Sequence, residues 1–174
     1  MRKDVSPRTI SEWFEWGRVC FHKPDGVTAI TAFKRVIDQD PRYCHSDGDT
    51  PYFYLGKIYE VEGRLAEAIV HYSRALAINR HDEESMIGRA SCYTVSGRHR
   101  EAVNDLNRLL QLPDNRRKVP RKLLLYVMAE NFRRMEDWGQ AAYWGQQALD
   151  ADPGNREFQQ LLEDIQAKTS PKMR

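Results

Sequence analysis

The chain's 174 residues are 41% hydrophobic and 30% charged with a net charge of only +2, the composition of an ordered, soluble protein with a sizeable core. No window approaches the ~18 uninterrupted apolar residues of a membrane span, and the basic start lacks the apolar stretch of a secretion signal. Three cysteines, Cys20, Cys44 and Cys92, are odd in number and widely spaced, which suits a reducing compartment and makes a cytoplasmic location the expectation.

Residues 10–43 read as two helices joined by a short turn, with Trp16, Gly17, Ala29 and Phe33 recurring downstream. Thirty-nine residues on, the same positions hold Leu55, Gly56, Ala68 and Tyr72, which defines a second unit over 49–82. A further shift of 34 carries Gly56, Tyr59, Gly63 and Ala68 onto Ala90, Tyr93, Gly97 and Ala102, in a third unit over 83–116. In a fourth, 122–155, Ala129, Phe132, Ala141 and Ala148 take the places of Gly56, Tyr59, Ala68 and Ala75. Five-residue insertions follow the first unit (44–48) and the third (117–121).

Within 49–82, Tyr52, Leu55, Gly56 and Tyr59 share one face of a first helix, and Ala68, Tyr72 and Ala75 share one face of a second. Gly63 marks the stop between them. Glycine inside a helix costs about 1 kcal/mol relative to alanine. Gly56 therefore implies a close approach of two helices, which a side chain there would prevent. After Pro153-Gly154-Asn155, Phe158, Leu161, Leu162 and Ile165 share one face of a last helix over 156–168, as a cap on a stacked array requires. Residues 1–9 and 169–174 read as terminal segments.

The run Tyr52, Leu55-Gly56, Tyr59, Ala68, Tyr72, Ala75 resembles the tetratricopeptide repeat family. So do Trp13, Trp16-Gly17, Ala29, Phe33 and Pro41 in the first unit and the closing "ALDADPGN" of the fourth. Arg80 and Asp114 stand where the family places a proline, Arg89 where it places leucine, and Gly145 where it places an aromatic residue. The resemblance covers residues 10–155. It implies an all-α fold: a right-handed superhelical solenoid of four helix-turn-helix repeats plus a C-terminal capping helix, the first helices lining a concave groove.

The helix face opposite the packed one gives the expected groove lining: Phe14, Arg18, Phe53, Tyr54, Lys57, Ile87, Ser91, Tyr126, Glu130 and Arg134. Exposed aromatic residues in a row point to a binding surface for a peptide or helix with apolar anchors. Phe14, Phe53, Tyr54, Ile87 and Tyr126 would be those anchors, and Arg18 and Lys57 could pair a ligand carboxylate. The family's best-known ligands are acidic C-termini of heat-shock chaperones. The clamp positions here would be Phe14, Arg18, Tyr54, Glu84 and Gly88, and none carries the expected residue.

Chemistry has no comparable signal. No phosphate loop, nucleophile elbow or metal-binding spacing occurs, so neither catalysis, a metal nor a cofactor is expected. "CHSDGD" (44–49) reads as a solvated loop in which Asp49 caps the helix starting at Thr50-Pro51, and Cys20 and Cys92 read as core. Residues 88–135 hold eleven Lys and Arg against four Asp and Glu, concentrated in Arg116, Arg117, Lys118, Arg121 and Lys122. That patch carries the rival readings of nucleic-acid association or an acidic protein partner. The sequence thus describes a non-catalytic adaptor, scaffold or chaperone-like module for a protein partner. Self-assembly is compatible with it, nucleic acid is disfavoured, and no membrane insertion is expected.

Overall fold

The computed structural model describes residues 7–23, 25–113 and 118–169. Among them are nine α-helices and no strand. They are α1 (Ile10–Phe21), α2 (Gly26–Gln39), α3 (Pro51–Val61), α4 (Leu65–Ile78), α5 (Glu83–Val95), α6 (His99–Leu110), α7 (Arg121–Arg134), α8 (Trp138–Ala151) and α9 (Arg156–Thr169). The chain divides into two compact units, Met1–Cys92 and Tyr93–Arg174, with the boundary inside α5.

Local chemistry sets the helix ends. Thr9 and Glu12 form a reciprocal capping box at the start of α1: the Thr9 hydroxyl accepts from the Glu12 amide (3.1 Å) and the Glu12 carboxylate from the Thr9 amide (3.1 Å). Asp25 accepts from the Thr28 amide at the start of α2. The cap of α3 is Thr50, whose hydroxyl accepts from the Phe53 amide (3.2 Å), with Pro51 as the first helical residue. That corrects the expectation that Asp49 would cap it. Gly63 (φ +74°) and Gly97 (φ +77°) end α3 and α5 in the left-handed region. At the corresponding place after α7, Glu136 adopts φ +58° with no glycine to ease it.

In the first unit, α1 packs on α2, α3 on α4, and α3 also on α2. Helix backbones approach closely where a glycine faces an aromatic ring. A methyl group at Gly17 would meet the Phe33 ring at 2.7 Å, and one at Gly56 would meet the Tyr72 ring at 2.7 Å. The gap at Gly56 is thus filled by Tyr72, with Ala68 and Ala75 buried on the same helix face. Gly88 of α5 closes on the same ring from another helix, so Tyr72 lies between two glycines and is wholly buried. Its hydroxyl donates to Glu60 (2.6 Å). Burial, with Glu60 beside it, pushes that phenol far above its ordinary range, so it stays the donor. Next to it, His71 stacks on Tyr59 (5.2 Å), and burial with Arg74 and Lys34 nearby lowers its pKa to about 4.

In the second unit, α7 packs on α8 and α6, and α9 covers α8. The aromatic residue found at Phe33 and Tyr72 is replaced by Gly145, and α9 fills the space. The Leu162 and Ile165 side chains come within 3.6 and 3.8 Å of where a Gly145 methyl would stand. Phe158, Leu161 and Ile165 are buried against Leu125, Ala129, Ala141 and Ala148.

The two glycines should therefore respond oppositely to alanine. Gly56→Ala must displace the Tyr72 ring and is expected to lower unfolding free energy by about 1–3 kcal/mol. Gly145→Ala meets only ordinary contact distances and should be neutral or stabilising by up to about 1 kcal/mol. Urea denaturation of the two variants beside the parent protein measures both.

Candidate peptide-binding surfaces

The expected groove lining divides sharply by exposure. Phe14 is 0%, Tyr54 5% and Phe53 9% exposed, so these three are core residues and not the open anchors that helical periodicity predicts. For Phe14 and Tyr54 the cause is the loop between α2 and α3, which folds back over α1. Tyr43 and His45 lie against the Phe14 ring, each with centroids 5.2 Å away, and Tyr54 stacks flat on Phe33 at 4.9 Å. Polar contacts hold the loop down. Arg18 pairs with Asp47 (2.9 Å) and Glu15 (3.4 Å), the Tyr54 hydroxyl donates to Asp49 (2.6 Å), and the Asn79 amide donates to the Gly48 carbonyl (3.2 Å). Burial and the Asp49 carboxylate raise the Tyr54 pKa well above its usual range. Arg18 is thereby supplied with a carboxylate from its own chain.

The remaining candidates in this unit are more open. Lys57 is partly exposed and lies 3.6 Å from Glu60; Ile87 is half-buried and Ser91 exposed. Trp16, expected on the packed face, is 44% exposed.

In the second unit, Tyr126 and Glu130 of α7 line a cleft of about 370 Å³ with Arg156, Glu157, Gln160, Leu161 and Asp164 of α9. The Tyr126 ring is braced by Phe158, stacked at 5.0 Å. Burial, then Glu130 and Glu157, raise the Tyr126 pKa, as expected of carboxylates facing a phenol. Glu130 is itself held by Arg133 (2.8 Å), with Arg134 at 3.9 Å and exposed. The sequence points to Tyr126 and Glu130 as groove candidates but not to the α9 residues beside them, because that helix reads only as a cover for apolar surface. The alternating acids of "REFQQLLEDIQ" were the available signal.

Of the basic patch, Arg116 and Arg117 lie outside the described residues. Lys118 is exposed, Arg121 reaches the Leu110 carbonyl (3.4 Å), and Lys122 pairs with Asp152 (2.9 Å). Among the described residues no group of three or more His, Cys, Asp or Glu could hold a metal ion. Cys20 and Cys92 are buried, and burial pushes the Cys92 thiol up to about 11. Among the described residues no helix is long and apolar enough to cross a membrane.

The family model described as tetratricopeptide repeat matches residues 50–82, the stretch that holds the Gly56–Tyr72 contact. The chain is thus similar to tetratricopeptide repeat proteins, in sequence over this stretch and elsewhere in fold. It is similar to Hsp70-Hsp90 organizing protein 3 of Arabidopsis thaliana, 32% identical over 99 residues, which are 56% of this chain and 16% of that protein. It spans a quarter or less of the length of the curated relatives it matches. Its fold is similar to that of a tetratricopeptide repeat protein from Parabacteroides merdae. The TM-score is 0.74 at 23% identity, covering 91% of this chain and 60% of that one. A second solved structure, the first such domain of Spaghetti (RPAP3), holds an HSP90 peptide, SRMEEVD. It matches with a TM-score of 0.58 at 21% identity over 68% of this chain and 91% of that one.

If Asp47 holds the loop onto α1, Asp47→Ala should free it locally. Amide exchange at His45, Gly48 and Asp49 should speed up about five- to tenfold, the loss of ~1 kcal/mol of hydrogen bonding, while α4 amides keep their protection. Hydrogen–deuterium exchange of the two proteins reads both regions at once.

Proposed function

We propose that the protein is a non-catalytic protein-interaction module that binds a segment of a partner protein, and that the cleft between α7 and α9 is its principal contact. Four repeats, over 10–43, 49–82, 83–116 and 122–155, with a capping helix over 156–168, are the organisation this reading assumes. Tetratricopeptide repeats generally mediate protein–protein interaction, and the cleft lining is the observation that carries the reading here. It joins a braced, half-buried tyrosine with the carboxylates of Glu157 and Asp164, beside Arg156 and a Glu130 already held by Arg133.

That chemistry favours a partner segment presenting a basic side chain beside an apolar one. The cation would lie beside Tyr126 between Glu157 and Asp164, and the apolar residue would contact the exposed part of the Tyr126 ring. It disfavours an acidic peptide such as SRMEEVD. At the positions where the family's clamp would stand, Phe14 and Tyr54 are buried and Arg18 is already paired with Asp47. A cytoplasmic adaptor or chaperone-like scaffold fits these properties.

The test is an array of short peptides differing in charge and apolar content, probed at about 150 mM salt. The proposal expects binding to basic–apolar peptides, weakened at least about tenfold by Glu157→Lys and Asp164→Lys, which reverse exposed charges without touching the core. Preferential binding of SRMEEVD would overturn it. So would retention of a nucleic acid that falls steeply with salt and depends on Lys118.

A further inference from the structure

Among the described residues of the first unit, α1 carries an apolar face that no other helix covers. Trp16 and Val19 are each 44% exposed and, with Pro7, Glu12 and Glu15, line a cleft of about 320 Å³. Scattered surface apolar residues need no explanation, but these occupy defined repeat positions. Thirty-nine residues on, their counterparts Leu55 and Ile58 are 1% and 8% exposed, on a helix that packs against α2 of the preceding pair. Among the described residues, Trp16 and Val19 thus form a stacking face left open.

The residues around that face select its occupant. At 100° per residue, Glu12, Trp16 and Val19 fall within about 60° of one another, a single stripe along α1, and Lys23 lies in the turn just past its end. The Lys23 amide donates to the Cys20 carbonyl (3.1 Å), which keeps that residue close to the helix end. The stripe reads acid, apolar, apolar, base, and is complementary to itself when reversed. A two-fold axis between Gly17 and Arg18 sets Trp16 against the partner's Val19 and Glu12 against the partner's Lys23. The parallel arrangement would oppose Glu12 to the partner's Glu12. Head-to-tail stacking onto α9 would place Trp16 on an exposed face of Glu157, Gln160, Glu163 and Asp164.

We propose that α1 is a self-association surface: two copies of the chain pair antiparallel through Glu12, Trp16, Val19 and Lys23. One helix pair buries an area at or below about 1,200 Å², so the dimer is weak and concentration-dependent. The contact uses none of the residues that line the α7–α9 cleft, so it stands independently of the binding reading above.

Sedimentation equilibrium of the full chain, from about 5 to about 500 µM, tests it. The weight-average mass should climb from 20.4 kDa toward twice that value. Trp16→Gln should abolish the rise, and Lys23→Glu should weaken association at least about tenfold. Adding Glu12→Gln to Lys23→Glu should recover part of it, because glutamine keeps the capping box while removing the repulsion. Trp16 and Lys23 are surface residues, so unchanged circular dichroism and melting confirm that each variant folds. A wild type that stays at 20.4 kDa throughout overturns the proposal, as does a dimer indifferent to Trp16→Gln or a double variant no better than Lys23→Glu alone.

Discussion

Tyr72 is the side chain on which the first unit depends. Its ring is wholly buried between Gly56 of α3 and Gly88 of α5, and its hydroxyl is tied to Glu60. Burying a side chain of this size contributes about 2–3 kcal/mol, but its geometric effect is larger. A ring that lies against two backbones fixes how closely three helices approach. Each glycine gives up helix propensity at its own position, and the packing it permits offsets that cost. Phe33 against Gly17 repeats the device one pair earlier. The fourth pair dispenses with it: Gly145 leaves a space that α9 enters, so the helix closing the apolar surface is also the one that forms the cleft with α7.

Two local additions to the repeat decide which surfaces are open. The loop after α2 closes the α1 face of the first unit by placing Tyr43, His45, Asp47 and Asp49 over Phe14, Arg18 and Tyr54. It supplies both the aromatic cover and the carboxylates that a bound peptide would otherwise bring. In the second unit the α7 face stays open and gains charged groups from α9. The same helix position is therefore core at Phe14 and Phe53, and wall of a cleft at Tyr126.

Much of this follows from local residue patterns, and the exceptions have identifiable causes. Helical periodicity and the recurrence of small residues point directly to the tight contact at Gly56, because a glycine inside a helix costs free energy and needs a compensating neighbour. Periodicity says nothing about a loop that returns across a helix face, so Phe14 and Tyr54 look exposed when only their own helices are considered. The aromatic and acidic residues of "YCHSDGD", facing Arg18 across the loop, were the available clue. Asp49 and Thr50 are both good caps by type. Pro51 decides between them, since proline favours the first helical position and makes its predecessor the cap. On α9 the apolar stripe was plain, but the role of its acidic flank depends on where α7 lies.

The most direct test of the central packing claim is a double-mutant cycle between Gly56 and Tyr72. If the ring is what excludes a side chain at position 56, then Tyr72→Leu should relieve the strain of Gly56→Ala. The alanine should then cost nothing or even stabilise, giving a coupling of about 1–3 kcal/mol. Additive effects in urea denaturation would contradict the account, because they would mean that Gly56 and Tyr72 do not share the contact that sets the helix spacing.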